Sequence, residues 1–510
     1  MARSLLSYDI ASIQRYVFAT DGLREIRGAS ALVDRLNRDI LAERVRAKDP
    51  SAEEIFAGGG SGLLEVDSAR VGEADAALQK ACREETESAA LHTAHVEYAP
   101  GSPGRFPEAF RTLHAKLRLA KSKTPEWVSL PSHSLIRTCD CCGDFYASED
   151  DPDQKPGQRT DMVCRACALK VAEDHQIKKR FAVSRKTLPG LWGRIARHLP
   201  EDVSFADYKR PREIDDLTGD RDLALLYADG DGMSDLFGAC SSTADVQTKS
   251  RGVEQALLLA TAQGLGDILR GYEGEYLPFD VLLLGGDDLV IAVQAQYAFR
   301  LAIDLLRTFP AEGLRLTGHA LSLSVGIAVA HPHYPIRALL DLSHGGALRY
   351  AKRERYLRSL RGDMAGQGII NHIVVGNLSH TDFSAYMKEE LTGQTDTGVR
   401  IRRTLRPYTA AELENLLDVC RTLRQLPRTK LEALRATAFM TRNQGTLEGL
   451  GALARLRDSL RTEVLQSFSR LSAGETAGFP WFERDRQLVN PWADIAELAD
   501  YASGKDRREV

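Results

Sequence analysis

The chain has 510 residues, and 67 Lys+Arg against 71 Asp+Glu leave a net charge of −4. That balance exerts no overall pull on nucleic acid, so any such contact must come from local basic patches. A composition 43% hydrophobic and 27% charged is that of a globular protein, and at ~100–200 residues per domain the length predicts three or four domains. No apolar run approaches the ~20 residues that cross a bilayer. The opening MARSLLSYDIASIQRYVF lacks the layout of a signal peptide, which points to the cytoplasm.

In chain order, the first apolar strand closes on Asp9, and IFAGGGSGLLEV, Ile55 to Val66, joins two apolar runs through a glycine-rich turn. Five of the eight cysteines then fall within CDCCGDFYASEDDPDQKPGQRTDMVCRAC. Cys139 with Cys142 and Cys164 with Cys167 are two C-x-x-C pairs, spaced as in a four-thiolate zinc site. Cys141 is an alternative ligand on the first pair. Four thiolates leave no open coordination position, so the expected role of the Zn2+ is structural. Cys82, Cys240 and Cys420 read as isolated buried small hydrophobes.

From about residue 220 to 355 the pattern is richer. ALLYAD, Ala224 to Asp229, is a short apolar strand running into DGDGMSD. A helix follows with Val253, Leu257, Leu265, Ile268 and Leu269 on or near one face. VLLLGGDDLVIAV, residues 281 to 293, is a hairpin whose turn holds Gly285, Gly286, Asp287 and Asp288. Tyr297 to Phe309 is helical in pattern, and Ala320 to Ala330 is a further strand. The order β-α-β-β-α-β is the ferredoxin-like arrangement. It places strands one and two parallel, with strand three antiparallel between them. The end of strand one and the hairpin turn therefore share one edge, where Asp229, Asp287 and Asp288 converge, with Asp231 close by.

Adjacent carboxylates repel, and a divalent cation relieves that repulsion. Mg2+ takes oxygen ligands, commonly carboxylates plus substrate phosphates. Gly230 and Gly232 let the backbone approach a triphosphate. The helix DLSHGGALRYAKR is long enough at 1.5 Å per residue to bring Lys352 back to a phosphate. Each piece alone has a bland reading: a solvated hairpin, a strand end with a helix cap, a surface lysine. Their conjunction on one edge predicts a metal–nucleotide site. Basic candidates for nucleic-acid contact are Lys178 to Arg180, the run Lys352, Arg353, Arg355 and Arg358, and Arg400 to Arg403, each equally readable as a solvated face. Toward the C-terminus, Thr409 and Glu412 form a capping box before Leu413, Leu416, Leu417 and Cys420. Leu453, Leu456, Leu460, Val464 and Phe468 suggest one more helix.

YADGDGM, LLLGGDDLVIAV, LSVGIAVAHPHYPIRALL and ALRYAKR together resemble the polymerase-cyclase palm of the large subunit of type III CRISPR effector complexes. The palm is also similar to diguanylate-cyclase (GGDEF) domains, but the turn is GGDD and the FK that usually follows the strand-end acid is absent. SLLSYDIASIQRYVF and LREIRGASALVDRLNRD resemble the start of the family's first palm, where GGGSG replaces the acidic turn. That first palm is expected to bind no metal and to close the nucleotide pocket from the opposite side. The zinc knuckle and the C-terminal helices have counterparts as well.

The resemblance implies an α+β chain with two ferredoxin-like palms, a zinc-knuckle insertion and a C-terminal helical domain. The expected divisions are 1–125, 126–215, 216–375 and 376–510. It implies an enzyme that joins ATP into cyclic oligoadenylate with Mg2+ or Mn2+ in antiviral defence. Asp229, Asp287 and Asp288 would be the catalytic metal ligands. Gly230, Asp231, Gly232, Met233, Ser234, Gly285, Gly286 and Lys352 would line the nucleotide site. Many members begin with an HD nuclease domain; here the chain starts at the first palm, and Asp174–His175 occurs once, in reverse order, so no nuclease activity is expected. Guide or target RNA and other effector subunits are the implied partners, or a second copy if the protein stands alone. The alternatives are an RNA-binding scaffold with a dormant palm, or a stand-alone cyclic dinucleotide synthase.

Overall fold

A computed structural model of the chain describes all residues except 1, 100–104, 123–135, 153–160, 184–187, 189, 363–366, 377–381, 396–397, 474–477 and 503–510, and omits the side chains of 179–183. The expected domain division at 125/126 and the side chains of Lys179 and Arg180 lie outside the described residues.

Strands β1 (Arg3–Ile10), β2 (Glu53–Gly58), β3 (Ser61–Asp67) and β4 (Leu91–Tyr98) form one sheet in the order β2-β3-β1-β4. The helix Leu23–Arg35 and its continuation to Arg46 link β1 to β2, and Val71–Thr86 links β3 to β4. This is a complete ferredoxin-like unit. The glycine-rich run is its hairpin turn, with Asp9 opposite Ser61 across β1 and β3. A two-stranded ribbon of β5 (Glu149–Asp150) and β6 (Met162–Val163) then leads into the helix Arg165–Val183.

The second palm comprises β7 (Leu223–Asp231), β8 (Phe279–Gly285), β9 (Asp288–Gln294), β10 (Ser322–Ala330) and β11 (Ile370–Val374), ordered β11-β10-β7-β9-β8. Four of these strands follow the order read from the sequence, with β9 antiparallel between β7 and β8. β11 was not anticipated; it adds in parallel beside β10. Every residue of β10 is buried, and the reason is that both faces of the sheet are covered. Ala224, Leu226 and Ala228 pack toward the helices Thr243–Leu269 and Ala295–Thr317. Leu225 and Tyr227, which alternate with them, share a core with Leu6, Tyr8 and Ile10 of the first palm. The two palms therefore pack around one hydrophobic core.

A buried ion cluster reinforces that union. Arg27 of the first palm pairs with Asp174 at 3.2 Å and with Asp280 of β8 at 3.1 Å, all three side chains fully excluded from solvent. Asp174, half of the reversed Asp–His pair, is thus taken up in packing ion pairs. Beyond the second palm, the helices Ala410–Thr422, Arg428–Thr437, Arg442–Ala454, Asp458–Ser472 and Trp492–Leu498 dominate the described C-terminal region. The Thr409–Glu412 capping box is present. The single helix expected from Leu453 to Phe468 is instead two, because the chain turns extended at Arg457 and restarts with Asp458 in the first turn. This region also carries a small sheet of β12 (Thr392–Gln394), β13 (Arg400–Arg402), β14 (Phe482–Arg484) and β15 (Gln487–Val489). Three-residue strands show no readable alternation. The Arg400–Arg403 run proves partly structural: Arg403 donates to the carbonyls of Glu390, Thr392 and Ala438.

Candidate active site on the rim of the second palm

β7 leaves the core at Asp229, and β8 and β9 turn at Gly286 and Asp287 on the same rim. Asp229 and Asp288 are direct cross-strand partners. The Gly230 amide donates to the Asp287 carbonyl at 3.2 Å, which pins the two turns together. A Cβ on Gly230 would stand 2.9 Å from that of Asp287 and 2.7 Å from Met233 Cε, so only glycine fits where the strand end meets the turn. The three expected ligand carboxylates are thereby brought to one place.

Their electrostatics follow from crowding. Burial, and then the charge of Asp229, push the Asp287 carboxyl up to about 7. Burial and the charges of Asp229 and Asp287 hold Asp288 well above the usual carboxylate range. The compensating cation on the chain is Lys352, whose Nζ lies 2.6 Å from Asp229 Oδ2 and 2.9 Å from the Gly230 carbonyl oxygen. The helix after β10 does return to the rim: it runs Ile336–Leu340, bulges into π geometry over Asp341–Leu348, and continues as Arg349–Ser359. Such bulges are frequent at functional sites. The donor set is oxygen only and short of positive charge, the chemistry a hard divalent cation takes, though among the described residues only the four-cysteine group draws its ligand atoms within 4.8 Å of one another.

The remaining expected residues are placed as follows. Asp231 is turned into packing: Ser322 and Ser324 donate to it, and Arg355 Nε lies 3.2 Å from its Oδ2. Burial raises its pKa, and Arg355 and Lys352 oppose that shift. Gly232 has φ +72 ahead of the short helix Met233–Gly238, with Ser234 exposed beside it. Gly285 abuts the first palm, since a Cβ there would lie 2.6 Å from the Gly59 amide nitrogen. The GGGSG and GGDD turns thus meet backbone to backbone.

Sequence reasoning missed several neighbours. Arg355, read only as part of a basic run, lies one helical turn beyond Lys352. Tyr227 lies two residues before Asp229 on the same strand face, a spacing that could have singled it out. It donates to Asp288 Oδ1 at 3.1 Å and packs against His344 in a tilted pair, with ring centroids 4.5 Å apart. The first palm keeps a vestige of the site: Lys121 pairs with Asp9 at 2.8 Å, as Lys352 does with Asp229.

At the knuckle, Cys139, Cys142, Cys164 and Cys167 bring their sulfurs within 4.8 Å of one another, a set that fits tetrahedral Zn2+. Cys141 lies beside Cys139 and Cys167 but outside the four-sulfur group, and its Sγ donates to Glu25 Oε1 at 3.6 Å. Among the described residues no helix is long and apolar enough to cross a membrane.

Residues 222–358 match the family model of the Cas10/Cmr2 second palm domain. No curated protein matches the chain. Among solved structures, a Csm1–Csm4 cassette in complex with cA4 superposes with a TM-score of 0.59 at 15% identity, covering 99% of this chain and 70% of that one. A Csm1–Csm4 subcomplex in the type III-A CRISPR-Csm interference complex gives 0.54 at 16% identity, again over 99% and 70%. Csm1 in T. onnurineus gives 0.54 at 16% identity over 98% and 69%. At these identities the structural likeness speaks to the fold, while the family match speaks to the palm that carries the acidic rim. Residues 222–358 thus match the Cas10/Cmr2 second palm, and the chain as a whole shares the fold of Csm1.

Proposed function

We propose that the chain is a nucleotidyltransferase that joins ATP into cyclic oligoadenylate for antiviral signalling. The observation that carries this reading is the meeting of Asp229, Asp287 and Asp288 on one rim with Lys352 beside them, in a segment that matches the Cas10/Cmr2 second palm domain. In the proposed reaction the 3′ oxygen of one nucleotide attacks the α-phosphorus of another. The new P–O bond forms as the bond to pyrophosphate breaks, and the hydroxyl proton passes to solvent. Asp229, Asp287 and Asp288 would hold the divalent ions. When bound, those ions stabilise charge on the attacking and leaving oxygens. Lys352 neutralises phosphate charge, and the Gly230–Ser234 and Gly285–Gly286 backbone lines the nucleotide. Asp231 acts by orienting Arg355.

Incubating the purified chain with each labelled nucleoside triphosphate and Mg2+, with and without target RNA, tests this reading. ATP should give a cyclic oligomer, and D287A/D288A should abolish it while the fold persists. Undiminished product from that variant rejects the assignment. A cyclic dinucleotide from another base would support the stand-alone synthase instead. Solved relatives bear the names Csm1 and Csm4 together, which supports a scaffold role beside a Csm4-like subunit. Copurification with such a subunit and a short RNA tests that part.

A further inference from the structure

The first palm lacks the acidic pair, yet one of its side chains reaches the second palm's acidic rim. Gln14 lies in the short helix Ile13–Val17 that follows β1, and its Nε2 donates to the Tyr227 hydroxyl at 2.6 Å. That hydroxyl donates onward to Asp288 Oδ1 at 3.1 Å. Tyr227 is fully buried, and its ring is held against His344, so the phenol has little room to change partners. Ser12, at the entrance to Gln14's helix, has φ 47 and ψ 51. This left-handed conformation is uncommon for a residue other than glycine and persists where the surroundings enforce it. The strained turn carries the chain out of β1 and toward the second palm.

A carboxylate whose one oxygen accepts a fixed O–H keeps its other oxygen for a cation, and groups behind a ligand commonly set metal affinity in this way. We infer that Gln14 and Tyr227 are positioning residues for the divalent-ion site: the first palm, through Gln14, fixes the Tyr227 hydroxyl, and that hydroxyl orients Asp288. The inference rests on the metal-site reading of the preceding subsection. It gives the catalytically silent palm a definite task, because ion affinity then depends on how the two palms are seated.

The test is an Mn2+ titration of the full chain, followed by the electron paramagnetic resonance signal of the free ion. The set comprises the unmodified protein, D287A/D288A, Y227F, Q14L, Q14E and Y227F/Q14L. Phe and Leu keep the shape of the residues they replace, and ion-free thermal midpoints report any loss of fold. Y227F and Q14L should each weaken Mn2+ binding about 10-fold or more, the usual range for a group behind a ligand. Q14E should weaken it too, since its carboxylate draws the phenol proton away from Asp288. The double variant should be no weaker than the poorer single one, because both act through one chain of contacts. Unchanged affinity in Y227F overturns the relay. Weakening in Y227F with full affinity in both Gln14 variants overturns the first palm's part. If the unmodified chain binds Mn2+ no better than D287A/D288A, the metal reading itself fails and takes the inference with it.

Discussion

Asp229 on β7 and Asp288 on β9 stand directly opposite one another across an antiparallel pair. Like charges so placed destabilise a sheet, and the next residue along the turn, Asp287, adds a third. In the absence of divalent ions the folded protein answers by holding protons: Asp287 titrates near 7 and Asp288 is raised as well. Both lie above the ~3.9 of an unfolded aspartate. Their contribution to stability is therefore full below about pH 4 and is lost as pH rises through about 7. The ion-free thermal midpoint should fall across that window, and Mg2+ should restore it most at the alkaline end. D288N should raise the ion-free midpoint and flatten its pH dependence. Thermal unfolding at several pH values, with and without Mg2+, measures this; an ion-free midpoint that climbs over the window contradicts it.

Lys352 touches both Asp229 and the Gly230 carbonyl, yet its side chain is 31% exposed. An ion pair that wet contributes at most about 1 kcal/mol to stability. Its positive charge matters more to a triphosphate. K352A should therefore leave the denaturation midpoint nearly unchanged while lowering turnover of ATP about 100-fold, the scale of losing one preorganised cationic contact. Steady-state kinetics beside chemical denaturation separates the two effects. Equal losses in folding and turnover would mean that Lys352 is structural.

The second palm was legible because its signals are local. The apolar runs, the GGDD turn and the Lys352 helix each occupy a few consecutive residues, and the β-α-β-β-α-β order then forces them onto one edge. The Cys139–Cys167 knuckle was legible for the same reason, and the first palm followed by internal repetition. What escaped the reading depends on long-range packing. Gln14 and Tyr227 meet only because the two palms share a core. Asp174 looks like half of a motif until its partners Arg27 and Asp280, distant in sequence, appear beside it. β11 and the three-residue strands of the C-terminal sheet are too short for periodicity to declare them.

Four cysteine sulfurs within 4.8 Å of one another make an arrangement that thiols alone do not favour and that Zn2+ does. The purified chain should carry one zinc per molecule by elemental analysis, and a strong chelator with a thiol reagent should release it. C164S should lose the metal and destabilise the knuckle, including the turn into the helix Arg165–Val183. C141S should retain it, because Cys141 stands outside the four-sulfur group and its thiol donates to Glu25. Full zinc in C164S with loss in C141S would move the ligand to the alternative position.

Gly59 and Gly285 bring the two hairpin turns into backbone contact, and each is the reason the other must be glycine. Gly59 has φ +59, and a Cβ there would sit 2.8 Å from the Gly285 carbonyl oxygen. G59A therefore meets two obstacles, a left-handed backbone and a collision. Gly318 isolates the first, since it has φ +71 and nothing within 4 Å of a would-be Cβ. G318A should lose the ~1–2 kcal/mol of left-handed strain. G59A should lose about 1–3 kcal/mol more, the scale of forcing an atom into a filled space. It should also lower product formation, because relief requires the GGDD turn or the first palm to move. Denaturant midpoints and turnover of the two variants, set side by side, measure the contact. If G59A behaves like G318A in both, the turns tolerate separation and the first palm does not brace the acidic rim through them.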